Sequence, residues 1–419
     1  MSETKYFPAA GDIEAAARVL EEILEPTPIN RDGNLSEKYE ADIFLKREDL
    51  QIVRSYKIRG AYNKIRSLSG EALKNGIVCA SAGNHAQGVA LSCNRLHITG
   101  SIYMPTTTPK QKIEQVKMFG KEYVRIVLTG DTFDAANTAA IKYAEENGKT
   151  FIPPFDDPKI IEGQGTIGLE MSRQFKSPVD YVFIPIGGGG LASGVGAYLR
   201  QVWPGVKLIG VEPAGAACMK TAIDRGEITD LEHIDKFVDG AAVKKAGSYT
   251  FEVCRKVLDD IVLVPEGAVC TTIIDMYNKS AIVVEPAGAL SIAALRFYAD
   301  RIKGKRVACI VSGSNNDITR MEEIREKSLI YEGLKHYFLV TFPQKAGAIL
   351  SFVRDVIGPT DDLVYIQYIK KTNKEEGPAL IGIEVADKSG YDALIKRMEE
   401  HHIAYEYINE NNKLFEILI

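Results

Sequence analysis

The sequence predicts an α/β protein built on parallel sheets and ending in a separate, smaller β-α-β-β-α-β module. Three observations predict it. Short apolar runs alternate with helical stretches through most of the chain, as strands do when crossover helices join them. Polar and turn-forming clusters follow several runs, at Ser81–Gly88, Gly187–Gly190 and Ser312–Asp317; open α/β sheets collect their ligands at such strand ends. From about Tyr331 the order changes to the ferredoxin-like one.

Ile13, Ala16, Ala17, Leu20, Ile23 and Leu24 mark an amphipathic helix that stops before Pro26 and Pro28. Asp42–Lys46 reads as a strand, followed by Arg47-Glu48-Asp49 and a helix beginning near Lys57, where Tyr62, Ile65 and Leu68 continue a helical apolar spacing. Gly76–Ala80 is a buried strand leading into SAGNHAQG (81–88) and an Ala-rich helix. Thr99–Met104 is a strand ended by Pro105, with a helix from Pro109 to Phe119; Tyr123–Leu128 is a strand, and a helix runs from Asp131 to about Glu146. Asp180–Ile186 runs into four glycines and a helix near 191–202, and Val206–Val211 ends at Glu212. Ile261–Val264 and Ala281–Val284 are expected strands ahead of a helix at 287–299 opened by Glu285-Pro286-Ala287-Gly288, and Arg306–Val311 is the last strand of this part. In the C-terminal module the expected strands are His336–Phe342, Leu363–Ile369, Ala379–Val385 and Ala404–Ile408, with Leu414–Leu418 as a candidate addition. Helices are expected from Gln344 to Val356 and from Ser389 to His401. The module has no cluster of catalytic side chains and reads as a sensing or interaction unit.

At 419 residues the chain predicts two to three domains. Its net charge of −5 argues against a general nucleic-acid or anionic-membrane surface. The six cysteines show no Cys-x-x-Cys spacing and several lie in apolar runs, as Cys79 and Cys309 do. Buried free thiols in a reducing compartment are expected, rather than disulfides or a zinc site. The opening MSETKYFPAAGD lacks a basic region and an apolar core, so no secretory leader is expected. No apolar run is long enough to span a membrane, and a cytoplasmic location is expected.

The chemistry gathers around Lys57, in Ser55-Tyr56-Lys57-Ile58-Arg59-Gly60-Ala61. The positive end of a helix disfavours an ammonium, and a neutral amine is what a lysine needs to form a Schiff base with an aldehyde cofactor. Gly187, Gly188, Gly189 and Gly190, between a strand and a helix, leave free backbone amides suited to a phosphate. Two readings compete there. Gly187-x-Gly189-x-x-Ala192 with Glu212 satisfies a dinucleotide fingerprint, but explains neither Lys57 nor the 312–317 turn. Pyridoxal phosphate uses both parts, its aldehyde at Lys57 and its phosphate at 187–190. Asn84 then offers a hydrogen bond to the cofactor's phenolic oxygen, the 81–85 loop offers backbone donors to a substrate carboxylate, and Ser312 offers a hydroxyl to the pyridine nitrogen. A hydroxyl does not hold that nitrogen protonated, so the weaker electron sink suits elimination from a β-hydroxy substrate. His85 is either a base or the residue that holds the turn. Glu285 lines the pocket floor or compensates a helix dipole, and Tyr56 packs near the cofactor ring or belongs to the core.

These motifs, together with Thr108-Pro109-x-x-Lys112, Gly163-Gln164-Gly165-Thr166, EPAGAL at 285–290 and Ser312-Gly313, resemble the threonine dehydratase (threonine deaminase) family of fold-type-II pyridoxal-phosphate enzymes nearly end to end. The resemblance implies a two-lobed, tryptophan-synthase-β-like catalytic domain over 1–328, its smaller lobe at about 45–150, and an ACT-like regulatory domain over 329–419. It implies that Lys57 holds the cofactor and removes the substrate Cα proton, giving 2-oxobutanoate and ammonia from threonine, the first step towards isoleucine. Cofactor contacts are implied for Tyr56, Lys57, Asn84, Gly187, Gly188, Gly189, Gly190, Leu191 and Ser312, and substrate contacts for Ser81, Ala82, Gly83, Asn84 and His85. Ala82 stands where serine-racemising relatives carry a second serine, so poor racemisation is expected. The segment Pro213–Cys218 lacks the acid that helps some serine-active relatives hold a divalent cation, so no metal is assigned. A single ACT-like module needs a partner subunit to complete a shared effector site, which points to a homo-oligomer, dimer or tetramer, with isoleucine as effector. A broader serine/threonine dehydratase, and an NAD-binding or purely regulatory protein, remain open alternatives.

Overall fold

The structure, a computed structural model, describes residues 6–369 and 374–410. It divides into two compact units, residues 1–318 and 319–419. The first unit holds two sheets. The larger has the strand order Ile29–Arg31, Asp42–Arg47, Arg306–Val311, Tyr181–Pro185, Lys207–Pro213, Asp260–Val264; only the first pair is antiparallel. Arg306–Val311 lies residue for residue beside Asp42–Arg47, which joins the start of this unit to its end. The smaller sheet is wholly parallel, ordered Val124–Leu128, Gly100–Met104, Ile77–Ala80, Thr150–Phe151. Ile77–Ala80 and Gly100–Met104 are buried along their whole length, which is why they read as continuous apolar runs without alternation. Each sheet has its own core, one including Ile184, Val195 and Leu208 and the other Cys79, Val89 and Ile102.

Three helices fix the relation between the two sheets. Lys57–Arg66 starts at the lysine, as expected. Pro158–Gln174 carries Gly163-Gln164-Gly165-Thr166, and Gly190–Val202 follows the glycine run. Asp157 caps Pro158–Gln174 by accepting the amides of Lys159 and Ile160, and Pro158 occupies its first turn. The two glycines of its motif face opposite neighbours. A methyl group on Gly163 would lie 2.6 Å from the Arg59 carbonyl oxygen, and one on Gly165 2.9 Å from that of Gly194. Only hydrogen fits at these crossings, so this helix spaces the lysine helix from the glycine-run helix at backbone contact.

One expected strand is absent. Ala281–Val284 is irregular and follows a helix, Glu266–Ser280, that the apolar pattern did not reveal. Ala281 ends that helix in the left-handed region at φ 53°, and the chain then leads to Glu285, whose amide donates to the Gly313 carbonyl at 3.2 Å. The β-branched run carries the chain from a helix end to the site rather than joining a ladder. The helix expected at 287–299 is an α-helix only over Pro286–Ala293 and tightens to 3-10 over Ala294–Phe297. All six cysteines are buried and free. Among the described residues no helix is long and apolar enough to cross a membrane.

The second unit has the β-α-β-β-α-β order behind a leading helix, Met321–Tyr331. Its antiparallel sheet runs Asp362–Tyr368, Glu376–Glu384, Lys335–Pro343, Ala404–Tyr407. Phe338, Phe342, Phe352, Ile381, Ile383, Leu394 and Met398 form its core. The first helix begins at Ala348 rather than Gln344, because Gly347 at φ 85° turns the chain into it. The candidate strand at 414–418 lies outside the described residues.

Candidate active site

Lys57 opens its helix, and its Nζ donates to the Pro154 carbonyl at 2.9 Å. Among the described residues no carboxylate bonds it. Burial lowers its pKa to about 8, against a small opposing pull from Glu285. The shift towards the neutral amine expected from the helix end is therefore produced chiefly by desolvation. Tyr56 packs against the core of the larger sheet, its ring 5.4 Å from Lys57 Nζ, and its amide donates to the Ser312 carbonyl at 3.1 Å. That bond sets the lysine beside the end of the strand Arg306–Val311. Ser312 is buried there.

The helix Gly190–Val202 begins without a side-chain cap, and Gly189 precedes it at φ 94°. Its first-turn amides have no intrahelical acceptor. A methyl on Gly188 would fall on the Phe155 ring, one on Gly190 would lie 3.1 Å from Phe155 Cβ, and one on Gly187 3.0 Å from Ala241 Cα. Leu191 turns its side chain into the core, so it can serve a ligand only through its amide. This is a backbone cradle with no side chain of its own, and it fits a phosphate.

The loop ahead of the helix Asn84–Leu96 supplies the third wall. Ser81, Ala82, Gly83 and Asn84 are partly accessible, and the Gly83 amide donates to Ser81 Oγ at 3.2 Å. Asn84 Nδ2 donates to Glu285 Oε1 at 2.6 Å, and Asn84 Oδ1 accepts from Asn315 Nδ2 at 2.7 Å. Glu285 Oε2 also accepts the Asn315 amide at 3.2 Å. Glu285 is thus no simple dipole partner: it ties the 81–85 loop to the 312–317 turn. Its pKa is raised to about 7, first by burial and then by Asp239, with Asn84, Lys112 and Asn315 opposing. Asn315 is a site residue that sequence reasoning did not single out, although it lies in the 312–317 turn.

His85 is buried, and its Nε2 lies 3.0 Å from the Ile152 carbonyl. A carbonyl only accepts, so Nε2 carries the hydrogen. Burial, and then Lys57, push its pKa down to about 3. It is neutral, weakly basic, and holds the turn. Glu212, the acid of the dinucleotide fingerprint, is fully buried and accepts the amides of Met219 and Lys220 at 2.8 Å each. Both oxygens cap the helix Cys218–Arg225, which leaves no carboxylate for a ribose.

Between these walls runs a segment that sequence reasoning missed altogether. Ile152 holds His85, Pro154 holds Lys57, and Phe155 covers Gly188 and Gly190. Asp156 accepts the amides of Ser248, Tyr249 and Thr250, and Asp157 pairs with Lys64 at 2.6 Å. The signal was present in the paired prolines and acids of Pro153-Pro154-Phe155-Asp156-Asp157. Their partners are far away in sequence, so local patterning could not assign them.

An amine of lowered pKa beside a backbone phosphate cradle fits pyridoxal phosphate. The profile of pyridoxal-phosphate dependent enzymes matches residues 20–313, and that of the C-terminal regulatory domain of threonine dehydratase matches residues 326–418. A biosynthetic L-threonine dehydratase of Halalkalibacterium halodurans is 56% identical over 408 residues, covering 97% of this chain and 98% of the relative. One from Bacillus subtilis is 54% identical over 400 residues, with 96% and 95% covered. The structure of the processed form of threonine deaminase isoform 2 from Solanum lycopersicum superimposes with a TM-score of 0.73 at 42% identity, covering 76% of this chain and 87% of that one. The chain belongs to the pyridoxal-phosphate-dependent enzymes, within the threonine dehydratase family that carries a C-terminal regulatory domain.

Proposed function

We propose that the protein dehydrates and deaminates L-threonine to 2-oxobutanoate and ammonia, the first step of isoleucine biosynthesis. The observation that carries this reading is Lys57, a partly buried amine of lowered pKa with no bonded carboxylate among the described residues, beside an uncapped glycine-run helix. Pyridoxal phosphate, when bound, supplies an aldehyde for the amine and an electron sink that acidifies the substrate Cα–H bond. Lys57 holds the cofactor and, once displaced by substrate, takes the Cα proton. The amides of Gly188, Gly189, Gly190 and Leu191 hold the phosphate, with Gly187 leading the chain into the cradle. Asn84, oriented by Glu285 and Asn315, bonds the phenolic oxygen, Ser312 Oγ bonds the ring nitrogen, and Tyr56 packs beside the ring. The 81–85 loop binds the substrate carboxylate through its backbone. The Cβ–O bond breaks as the Cα proton leaves, and the hydroxyl departs as water. The released unsaturated amine takes water back to give the oxo acid and ammonia.

The catalytic domain is assigned to residues 1–328, with a smaller lobe at about 45–150, and the regulatory domain to 329–419. The regulatory domain takes isoleucine as effector in a cytoplasmic homo-oligomer, a dimer or tetramer. Assaying the holoenzyme for 2-oxo acid and ammonia with L-threonine tests the reaction; no oxo acid from threonine or serine would overturn it. A higher kcat/KM for serine than for threonine would favour the broader serine/threonine dehydratase. Isoleucine is expected to lower activity and raise thermal stability, and an unchanged Tm and rate would remove it as effector.

A further inference from the structure

The cradle of backbone amides needs its peptide planes fixed, because glycine has no side chain to fix them. In each peptide unit the carbonyl points opposite to the next amide, so anchoring the carbonyls on one side turns the amides to the other. Three of the run's four carbonyls, those of Gly187, Gly188 and Gly189, meet side chains. Thr250 Oγ1 donates to the Gly188 carbonyl at 2.6 Å and lies farther, at 3.2 Å, from that of Gly247. Cys218 Sγ lies 3.5 Å from the Gly187 carbonyl and Cys254 Sγ 3.7 Å from that of Gly189. Thr250 and Cys254 belong to the helix Ser248–Val257 and are fully buried. Their backing residue is Ser193, whose Oγ lies 3.2 Å from the Thr250 carbonyl and 3.3 Å from Cys254 Sγ.

The helix Ser248–Val257 receives no cap from the residue before it. Asp156 supplies one instead, accepting the amides of Ser248 and Tyr249 at 2.8 Å and of Thr250 at 3.2 Å. Asp156 directly follows Phe155, whose ring packs against Gly188, and lies two residues beyond Pro154, which holds Lys57. The cradle and the lysine are therefore referenced to one short segment.

We propose that Thr250, anchored by Asp156, is a positioning residue for the cofactor phosphate: it locks the Gly188 carbonyl outward so that the amides of the glycine run face the phosphate. The inference rests on the cofactor placement given under Proposed function. Thr250→Val keeps the shape and removes the donor, and Thr250→Ser restores the hydroxyl. Titrating the cofactor-free full-length chain with pyridoxal phosphate and, separately, with pyridoxal reads the phosphate contribution as the ratio of the two Kd values. For Thr250→Val the affinity for pyridoxal phosphate is expected to fall about tenfold, the scale of one buried hydrogen bond, with pyridoxal affinity little changed. Thr250→Ser is expected to recover the wild-type ratio. An unchanged ratio in Thr250→Val, or an equal loss for both ligands, overturns the proposal. Should that variant not fold, Asp156→Ala, which removes the cap that anchors Thr250, replaces it with a smaller expected change, and an unchanged ratio there overturns the proposal. A wild-type chain that binds both ligands equally would instead refute the placement of the phosphate at the glycine run.

Discussion

Lys57 and Arg59 stand two residues apart on one helix, the first partly and the second fully withdrawn from water, and meet opposite fates. Arg59 is 1% exposed and fully partnered. Its Nε and Nη2 donate to the two oxygens of Glu48 at 2.8 Å each, and Nη1 donates to Glu170 Oε1 at 2.6 Å and Thr166 Oγ1 at 3.0 Å. Glu170 also pairs with the buried Lys46 at 2.5 Å. Burial opposes the charge on Arg59, but its carboxylates win and hold its pKa above the usual value. Lys57 has a carbonyl and no bonded carboxylate, so desolvation wins and its pKa falls. One position is spent on holding three elements together and the other on keeping an amine reactive. What separates them is the partner, since burial is common to both.

The comparison breaks most visibly if Lys57 is removed. Lys57→Ala is expected to lower kcat at least about a thousandfold, because it removes the amine that holds the cofactor and takes the Cα proton; steady-state rates at saturating pyridoxal phosphate check it. Arg59→Leu strands the buried Glu48 and takes one partner from the partly buried Glu170, and should cost about 3–5 kcal/mol of unfolding free energy in a denaturant titration. Full stability in this variant would mean that the cluster is not what ties the helix down. Gly163→Ala places a methyl against the backbone beside Arg59, and is expected to cost about 1–3 kcal/mol by the same titration. It should also reduce kcat, since the displaced helix carries Lys57.

The smallest effect sharpens the contrast through pH. With the folded pKa of Lys57 lowered to about 8, the unfolded chain binds the extra proton between there and the ordinary lysine value. Stability of the cofactor-free protein therefore rises with pH across that window, and the burial cost is fully present below it. Lys57→Met is expected to raise stability at pH 7 by on the order of 2 kcal/mol, discounting for partial exposure of the side chain. The advantage over wild type should shrink as pH rises from 8 towards 10.5. A difference that does not vary with pH would show that Lys57 is not the titrating group.

Much of this molecule was legible in its sequence, for identifiable reasons. The fully buried parallel strands show as unbroken apolar runs, the lysine helix shows its spacing, and the glycine run lies between a strand and a helix. These are signals within one element, carried by period and by backbone freedom. The helix Pro158–Gln174 escaped because it is buried on nearly every side and so lacks the amphipathic contrast that marks a surface helix. Ala281–Val284 misled for a different reason: its β-branched run reads as a buried strand, yet only Val284 is buried and Val283 is 52% exposed.

By itself, then, the sequence determined the order of the elements, the two-part organisation and the groups able to do chemistry, because each is written in neighbouring residues. The tertiary structure alone decided which groups are tuned and how. Lys57 meets Pro154, Asn84 meets Glu285, His85 meets Ile152 and Glu212 turns to cap a helix. A pKa depends on what surrounds a group in space, and apart from the cap at Glu212 those neighbours lie far along the chain, where no local pattern records them.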